Sequence, residues 1–142
     1  MKLPDVNLLL YARNEADRHH QRAVRWIEEA LSGTETVGFA WVVLLGFVRI
    51  STKRGLFPEP LSPAEALDLV DRWLAQPCAT IVHPTERHAA VLRDLINEVG
   101  TAGNLTTDAH LAALAIEHGA QLCSADADFS RFPGLRWLNP LR

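Results

Sequence analysis

Apolar and polar positions along this chain alternate between two spacings. Leu3 to Val6 is a short apolar run of strand length, and an apolar helical turn, Asn7 to Tyr11, follows at once. From His19 to Leu31, Ala23, Val24, Ile27, Ala30 and Leu31 fall on one side of a helix, with Arg22, Arg25, Glu28 and Glu29 opposite and Gly33 at its end. Glu35 to Ala40 predicts a second strand. Trp41 to Thr52 is apolar nearly all round, which suits a helix in the core or at a subunit interface. Ser62-Pro63-Ala64-Glu65 is a capping box with proline at the first helical position; it opens a helix through Leu67, Val70 and Leu74 that stops at Pro77. Ala79 to His83 predicts a third strand, and Thr85 to Val99 an amphipathic helix ended by Gly100. Thr106 is read as the cap of a helix that runs to His118 and stops at Gly119. Gln121 to Ser124 and Arg136 to Leu138 complete the strands.

Strands that alternate with helices predict an α/β fold: a central, mostly parallel sheet of four to five short strands with helices on both faces. Ligands of such sheets bind beyond the carboxyl ends of the strands, where the strand order reverses. Four aspartates point to that edge. Asp5 and the pair Asp126 and Asp128 follow strands, and Asp108 lies in the first turn of a helix. Taken singly, three have ordinary uses. Asp5 suits an N-cap, Asp108 a favourable place in the helix dipole, and Asp128 the cap of a one-turn helix from Phe129 to Phe132. Asp126 directly follows an apolar strand and is not needed as a cap. Taken together they conflict, because two carboxylates roughly 6 Å apart repel by ~3 kcal/mol at an effective dielectric of about 20. A proton or a divalent cation relieves that repulsion. Oxygen donors without histidine or cysteine partners select a hard ion, Mg²⁺ with Mn²⁺ as a substitute. The six histidines show no zinc spacing: His19 and His20 start a polar helix, His88 and His118 read as solvated, and His110 sits beside Asp108.

Composition narrows the class. The 142 residues fit one domain with one core, and no apolar run is long enough to span a bilayer. Asp5 interrupts the first apolar stretch and Arg13 closes it, so a signal peptide is not expected and a cytoplasmic location is. Cys78 and Cys123 lie inside apolar runs and read as buried thiols. A net charge of −3 counts mildly against a nucleic-acid binder, unless the four aspartates are set aside as ligands.

Pro4-Asp5-Val6-Asn7, the run Asp108-Ala109-His110-Leu111-Ala112-Ala113-Leu114-Ala115, and Asp126-Ala127-Asp128-Phe129 occur in this order across nearly the whole chain. The set resembles the PIN-domain ribonucleases, and within them the toxins of VapBC-type toxin–antitoxin pairs. Phe129 to Pro140 is similar to the tail of a mycobacterial-type subgroup. The resemblance implies a single PIN-like domain over residues 1–142, a three-layer sandwich, Mg²⁺-dependent cleavage of RNA, a homodimer, and a VapB-type antitoxin bound over the active site. By position, Asp5, Asp108 and Asp126 match the family's acidic residues and Asp128 a frequent extra one. Asn7 and Ser124 match polar residues that support them. One position departs: in Leu45-Gly46-Phe47-Val48-Arg49, glycine stands where the family often has glutamate.

The mechanism so implied is metal-assisted hydrolysis that leaves a 5′-phosphate and a 3′-hydroxyl. Asp5, Asp108 and Asp126 would hold the ion, and Arg49, Lys53, Arg54 and Arg87 are candidates to grip the RNA backbone. Trp41 is a candidate to stack on a base. Two alternatives stay open: a weakly active or inactive module that binds RNA or antitoxin, and a DNA-directed nuclease of related fold.

Overall fold

A computed structural model describes residues 1–142. The elements run β1 (Lys2–Pro4), α1 (Val6–Tyr11), α2 (His20–Ser32), β2 (Val37–Ala40), α3 (Trp41–Ser51), α4 (Pro63–Leu74), β3 (Ala79–Val82), α5 (His88–Val99), α6 (Thr106–Glu117), β4 (Gln121–Cys123) and β5 (Trp137–Leu138). Short 3-10 turns precede α6 (Gly103–Leu105) and follow β4 (Ala127–Arg131). β1 ends before Asp5 because that side chain already caps α1. The capping box of α4 forms as expected, and Gly100 ends α5 in the left-handed conformation, with φ 80. Two helix starts differ from expectation. Thr106 is not a cap; it is the first residue of α6, and Leu105 precedes it without a side-chain cap. Thr85 lies outside α5, since its amide and hydroxyl both donate to Glu117 Oε1.

The five strands form one wholly parallel sheet in the order β3-β2-β1-β4-β5. The chain steps outward from β1 to β3 and then crosses back to β4 and β5. Right-handed crossovers therefore put α1 to α4 on one face and α5 and α6 on the other, and the helices pack pairwise in those two groups. All four residues of β2 are buried, as a strand covered on both faces requires. On one face Trp73 stacks on Phe39 and meets the edge of Phe47, with centroids 6.3 and 4.8 Å apart. On the other, α6 presents Ala109, Ala112, Ala113 and Ala115, all buried, so its axis lies close to the sheet. Cys123 is buried and Cys78 half-buried, and neither forms a disulfide. No helix is long and apolar enough to cross a membrane.

The strand order reverses at β1. On one side, β1 pairs with β4 from Lys2↔Gln121 to Pro4↔Cys123; on the other, it keeps a single pair with β2, Lys2↔Val37. Pro4 has no N–H for that second ladder, so the sheet loosens between β1 and β2 where the chain leaves it.

Gly38 marks the tightest part of the sheet. A Cβ there would stand 2.8 Å from Val82 Cγ1 and 3.1 Å from Met1 Sδ. Gly38→Ala is expected to destabilise the protein by about 1–3 kcal/mol through overpacking, read as a lower denaturant midpoint with an unchanged slope.

Candidate active site

Asp5 follows β1 and Ser124 follows β4, one step beyond the pair Pro4↔Cys123. Parallel pairing therefore sets them side by side. Ser124 Oγ donates to Asp5 Oδ2 at 2.7 Å and accepts from Asn7 Nδ2 at 3.1 Å and from the Asp126 amide at 3.0 Å. The hydroxyl thus uses its one proton and both lone pairs. Asn7 Nδ2 also reaches Asp5 Oδ2 at 3.3 Å, and Asn7 Oδ1 accepts from the Ala125 amide at 3.3 Å. The Val6 amide donates to Asp5 Oδ1 at 2.7 Å. Ser124 is fully buried and Asp5 is 9% exposed, so the two strand ends are fixed to each other by a hydrogen-bonded knot whose centre is buried.

Asp108, Asp126 and Asp128 gather beside it, each offering a carboxylate oxygen within 4.8 Å of the others. Asp108 comes from the first turn of α6, and the other two from the turn after β4. Two sequence readings are revised here. Asp126 is the cap of the turn, since its Oδ1 accepts from the Asp128 amide at 2.9 Å. Asp128, read as that cap, is free to join the cluster. Asp5, expected to be among the central ligands, lies outside that tight group and approaches it as the buried neighbour.

The charges register one another. Burial, followed by Asp126, Asp5 and Asp128, pushes Asp108 up to about 6. Burial raises Asp5 as well, with Asp126 adding to it and the hydrogen bonds from Ser124 and Val6 opposing. Asn7 and Tyr11 share a face of α1 at the spacing of one helical turn. Tyr11 is a site neighbour the sequence reading passed over: burial raises its phenol, and Asp126 and Asp5 are among the nearby charges that add to the rise.

A cleft of about 560 Å³ opens from Asp5 and Asp108 along α3, lined by Val42, Leu45, Gly46 and Arg49 with Thr107 and Leu111 opposite. Gly46 is not imposed by packing, because a Cβ there would meet only Val6 Cγ2 at an ordinary 3.5 Å. That wall simply carries no carboxylate. Of the basic candidates, Arg49 lines the cleft, while Lys53 and Arg54 are exposed just past the end of α3. Arg87 lies elsewhere, donating to the Glu117 carbonyl at the far end of α6. His88 and His118, read as solvated, are half-buried and each is bonded within the protein. His88 Nδ1 lies 2.5 Å from Glu117 Oε2 and its Nε2 lies 2.9 Å from His110 Nδ1, while His118 Nε2 donates to the His83 carbonyl. His110 therefore faces α5 and not the carboxylates.

The donor set suits a divalent cation: oxygen ligands only, from separate elements, in surroundings where their charge is uncompensated. The family model described as PIN domain matches residues 2–135. The chain belongs to the PIN domain family. It is 54% identical to Ribonuclease VapC37 of Mycobacterium tuberculosis, covering 99% of this chain and 97% of that one. It is 40% identical to Ribonuclease VapC33 of the same species, covering 100% and 99%. Among solved structures, this PIN domain is similar to VapBC2 from Rickettsia felis bound to a promoter DNA fragment, with TM-score 0.72, 19% identity and 97% of both chains covered. It is also similar to Mycobacterium tuberculosis VapC20, a sarcin-ricin loop cleaving toxin, with TM-score 0.66, 18% identity and coverage of 96% and 99%. At those identities the structural likeness speaks for the PIN fold, and the two curated relatives place the chain in the VapC branch.

Asp108 in this PIN domain titrates at about 6, above its ordinary 3.8, so between those values the folded chain holds a proton that the unfolded chain has lost. The stability attached to that proton is present at low pH and is lost as the pH rises through about 6. In EDTA, Asp108→Asn is expected to stabilise the protein at about pH 8 by on the order of 1 kcal/mol, after allowance for screening by water. The advantage should shrink as the pH falls below about 6 and vanish only at roughly pH 3 and below, where both states are protonated. Thermal melts across that range check it; a pH-independent difference would show that repulsion is not the cause.

Proposed function

We propose that this PIN domain is a Mg²⁺-dependent endoribonuclease, the toxin of a type II toxin–antitoxin pair. It hydrolyses RNA phosphodiester bonds and is neutralised by a cognate VapB-type antitoxin. The observation that carries the reading is the convergence of Asp108, Asp126 and Asp128 at the strand-order reversal, with Asp5 buried against them. Names support it too: the curated relatives are ribonucleases. The same reading makes residues 1–142 one catalytic domain, gives it a homodimeric form and places it in the cytoplasm.

Asp5, Asp108, Asp126 and Asp128 would hold Mg²⁺, with Mn²⁺ as a substitute. Bound there, the ion supplies charge stabilisation for the phosphodiester and a water acidic enough to attack it at neutral pH. The chain's own residues do the rest. Ser124 and Asn7 hold the Asp5 carboxylate in one orientation, so ordering it costs nothing when substrate arrives. Asp108, whose ordinary value burial and its acidic neighbours raise to about 6, would hold the ion in its ionised form. The N-terminal end of α6 presents backbone N–H groups and positive potential to a phosphate. Arg49 on the cleft wall suits a phosphate farther along the strand, and Lys53 and Arg54 extend that path. Trp41 and Leu45, 45% and 61% exposed on the neighbouring face of α3, form an apolar ridge beside the cleft. That ridge suits an unstacked base or an antitoxin segment that covers the site.

Purified protein given bulk transfer or ribosomal RNA with Mg²⁺ is expected to leave 5′-phosphate ends. Asp108→Asn or Asp126→Asn should lower the rate by about 10² or more. Tight RNA binding without cleavage in either metal would replace the enzyme by a binding module, and equal cleavage of matched DNA would redirect it to a DNA nuclease.

A further inference from the structure

A second cleft lies between α2 and the tail beyond β5. It measures about 260 Å³ and is lined by Arg22, Arg25, Trp26, Glu29, Pro140 and Arg142. Three guanidinium groups there face one side-chain carboxylate, in a chain whose net charge is −3. The pair of Met1 with Glu35 and the contact of His88 with Glu117 involve none of them. Like charges concentrated in this way without a partner attract an anion.

The cleft is fixed to the carboxylate site. Arg22 Nη1 donates to the Leu141 carbonyl at 2.7 Å, and Leu141 is buried against Leu8, Ala23 and Cys123. The tail is therefore seated on α2. The Arg142 guanidinium stands 5.9 Å from the centroid of the Trp137 ring, and Trp137 Nε1 donates to the Ser124 carbonyl at 3.0 Å. Ser124 is the residue that holds Asp5. Three contacts thus lead from the arginines to the carboxylates, and β4 and β5 end at the same edge of the sheet as β1.

We infer that Arg22, Arg25 and Arg142, with the Trp26 side chain among them, form a second binding surface for the phosphodiester backbone of the RNA, beside the carboxylate site. This inference rests on the nuclease reading above. A polyanion approaching four carboxylates on an acidic protein is repelled, so its association depends on basic surface near by. Guanidinium forks bind phosphate oxygens in pairs and an indole face accepts a base, the combination found in single-strand binding grooves. A cleft with these groups, joined by the tail to the edge where β4 and β5 end, fits a strand that continues past the cleavage point.

The test reads binding apart from cleavage. Arg25→Gln, Arg142→Gln and the double variant are titrated in EDTA with fluorescently labelled bulk transfer RNA over a range of salt. Arg22 is left in place because it also anchors the tail, and melting curves confirm folding. The double variant is expected to bind about tenfold more weakly at ~0.1 M salt, with a log–log salt slope shallower by about one to two. With Mg²⁺, its cleavage of an oligonucleotide too short to leave the carboxylate site should match wild type. Unchanged affinity and slope overturn the inference, as does an absence of measurable RNA binding by the intact protein. Binding of polyglutamate that the variants abolish, with RNA affinity unaffected, also overturns it and gives the cleft to an acidic protein partner. Should the intact protein bind RNA but cleave none with any metal, the nuclease reading falls, while the salt titration still decides the arginine surface.

Discussion

Everything at this site depends on one hydroxyl. Ser124 Oγ donates to Asp5 and accepts from Asn7 and from the Asp126 amide, so a single buried atom joins the ends of two strands that are far apart in sequence. Parallel pairing of β1 with β4 brings those ends level, and the hydrogen bonds fix what pairing alone would leave loose. Without the knot, Asp5 and the turn carrying Asp126 and Asp128 would move apart to relieve their charge. A buried hydrogen-bonded network has its full value only when every member is satisfied, and Ser124 meets that condition with no lone pair left over.

The arrangement is costly by design. Carboxylates held together raise Asp5 and Asp108 above the usual range, so the apo fold carries an unfavourable term that a proton or a cation removes. Capping offsets some of it, since Asp126 serves the turn after β4 and Asp5 serves α1. Both residues hold helix ends and site charge at once, which is why neither can be read from its local role alone. Gly46 reduces the load from the other side. A carboxylate on that wall of the cleft would add to a repulsion already strong enough to shift Asp108, and packing against Val6 leaves room for a larger residue. With glycine there, the positions left to balance an ion are those of β1, α6 and the turn after β4.

The order and type of the strands and α-helices were legible in the hydrophobic spacing, because strands covered on both faces and helices covered on one leave different periods. Element ends were less so. Thr106 has the chemistry of a cap, yet the 3-10 turn at Gly103–Leu105 brings the chain in already coiled and leaves the threonine inside the helix. The four aspartates were legible as a set, because strand ends and helix starts share one edge of a parallel sheet. Their division of labour was not. Asp126 and Asp128 both lie in reach of the same turn, and which one caps depends on a side chain that folds back by two residues. The contacts of His88 with Glu117 and His110 were invisible for another reason: they cross between α5 and α6, at separations of 29 and 22 residues that no periodicity reports. Arg87, which sequence suggested for RNA, is used in that same seam.

The α5–α6 seam explains how the charged edge stays in place. The Glu117 side chain is covered, and that alone would raise it, but hydrogen bonds from Thr85 and His88 hold it below its ordinary value. An ionised, fully bonded carboxylate at the end of α6 resists the helix sliding along its axis, because any slide would strand a buried charge. The other end of α6 carries Asp108. A helix anchored by its last turn, with alanines set close against the sheet, delivers its first turn to a fixed position however strongly the neighbouring carboxylates push back. Ser124 holds Asp5 from the sheet side and Glu117 holds Asp108 from the helix side, so the repulsion is contained between two anchors that lie outside it.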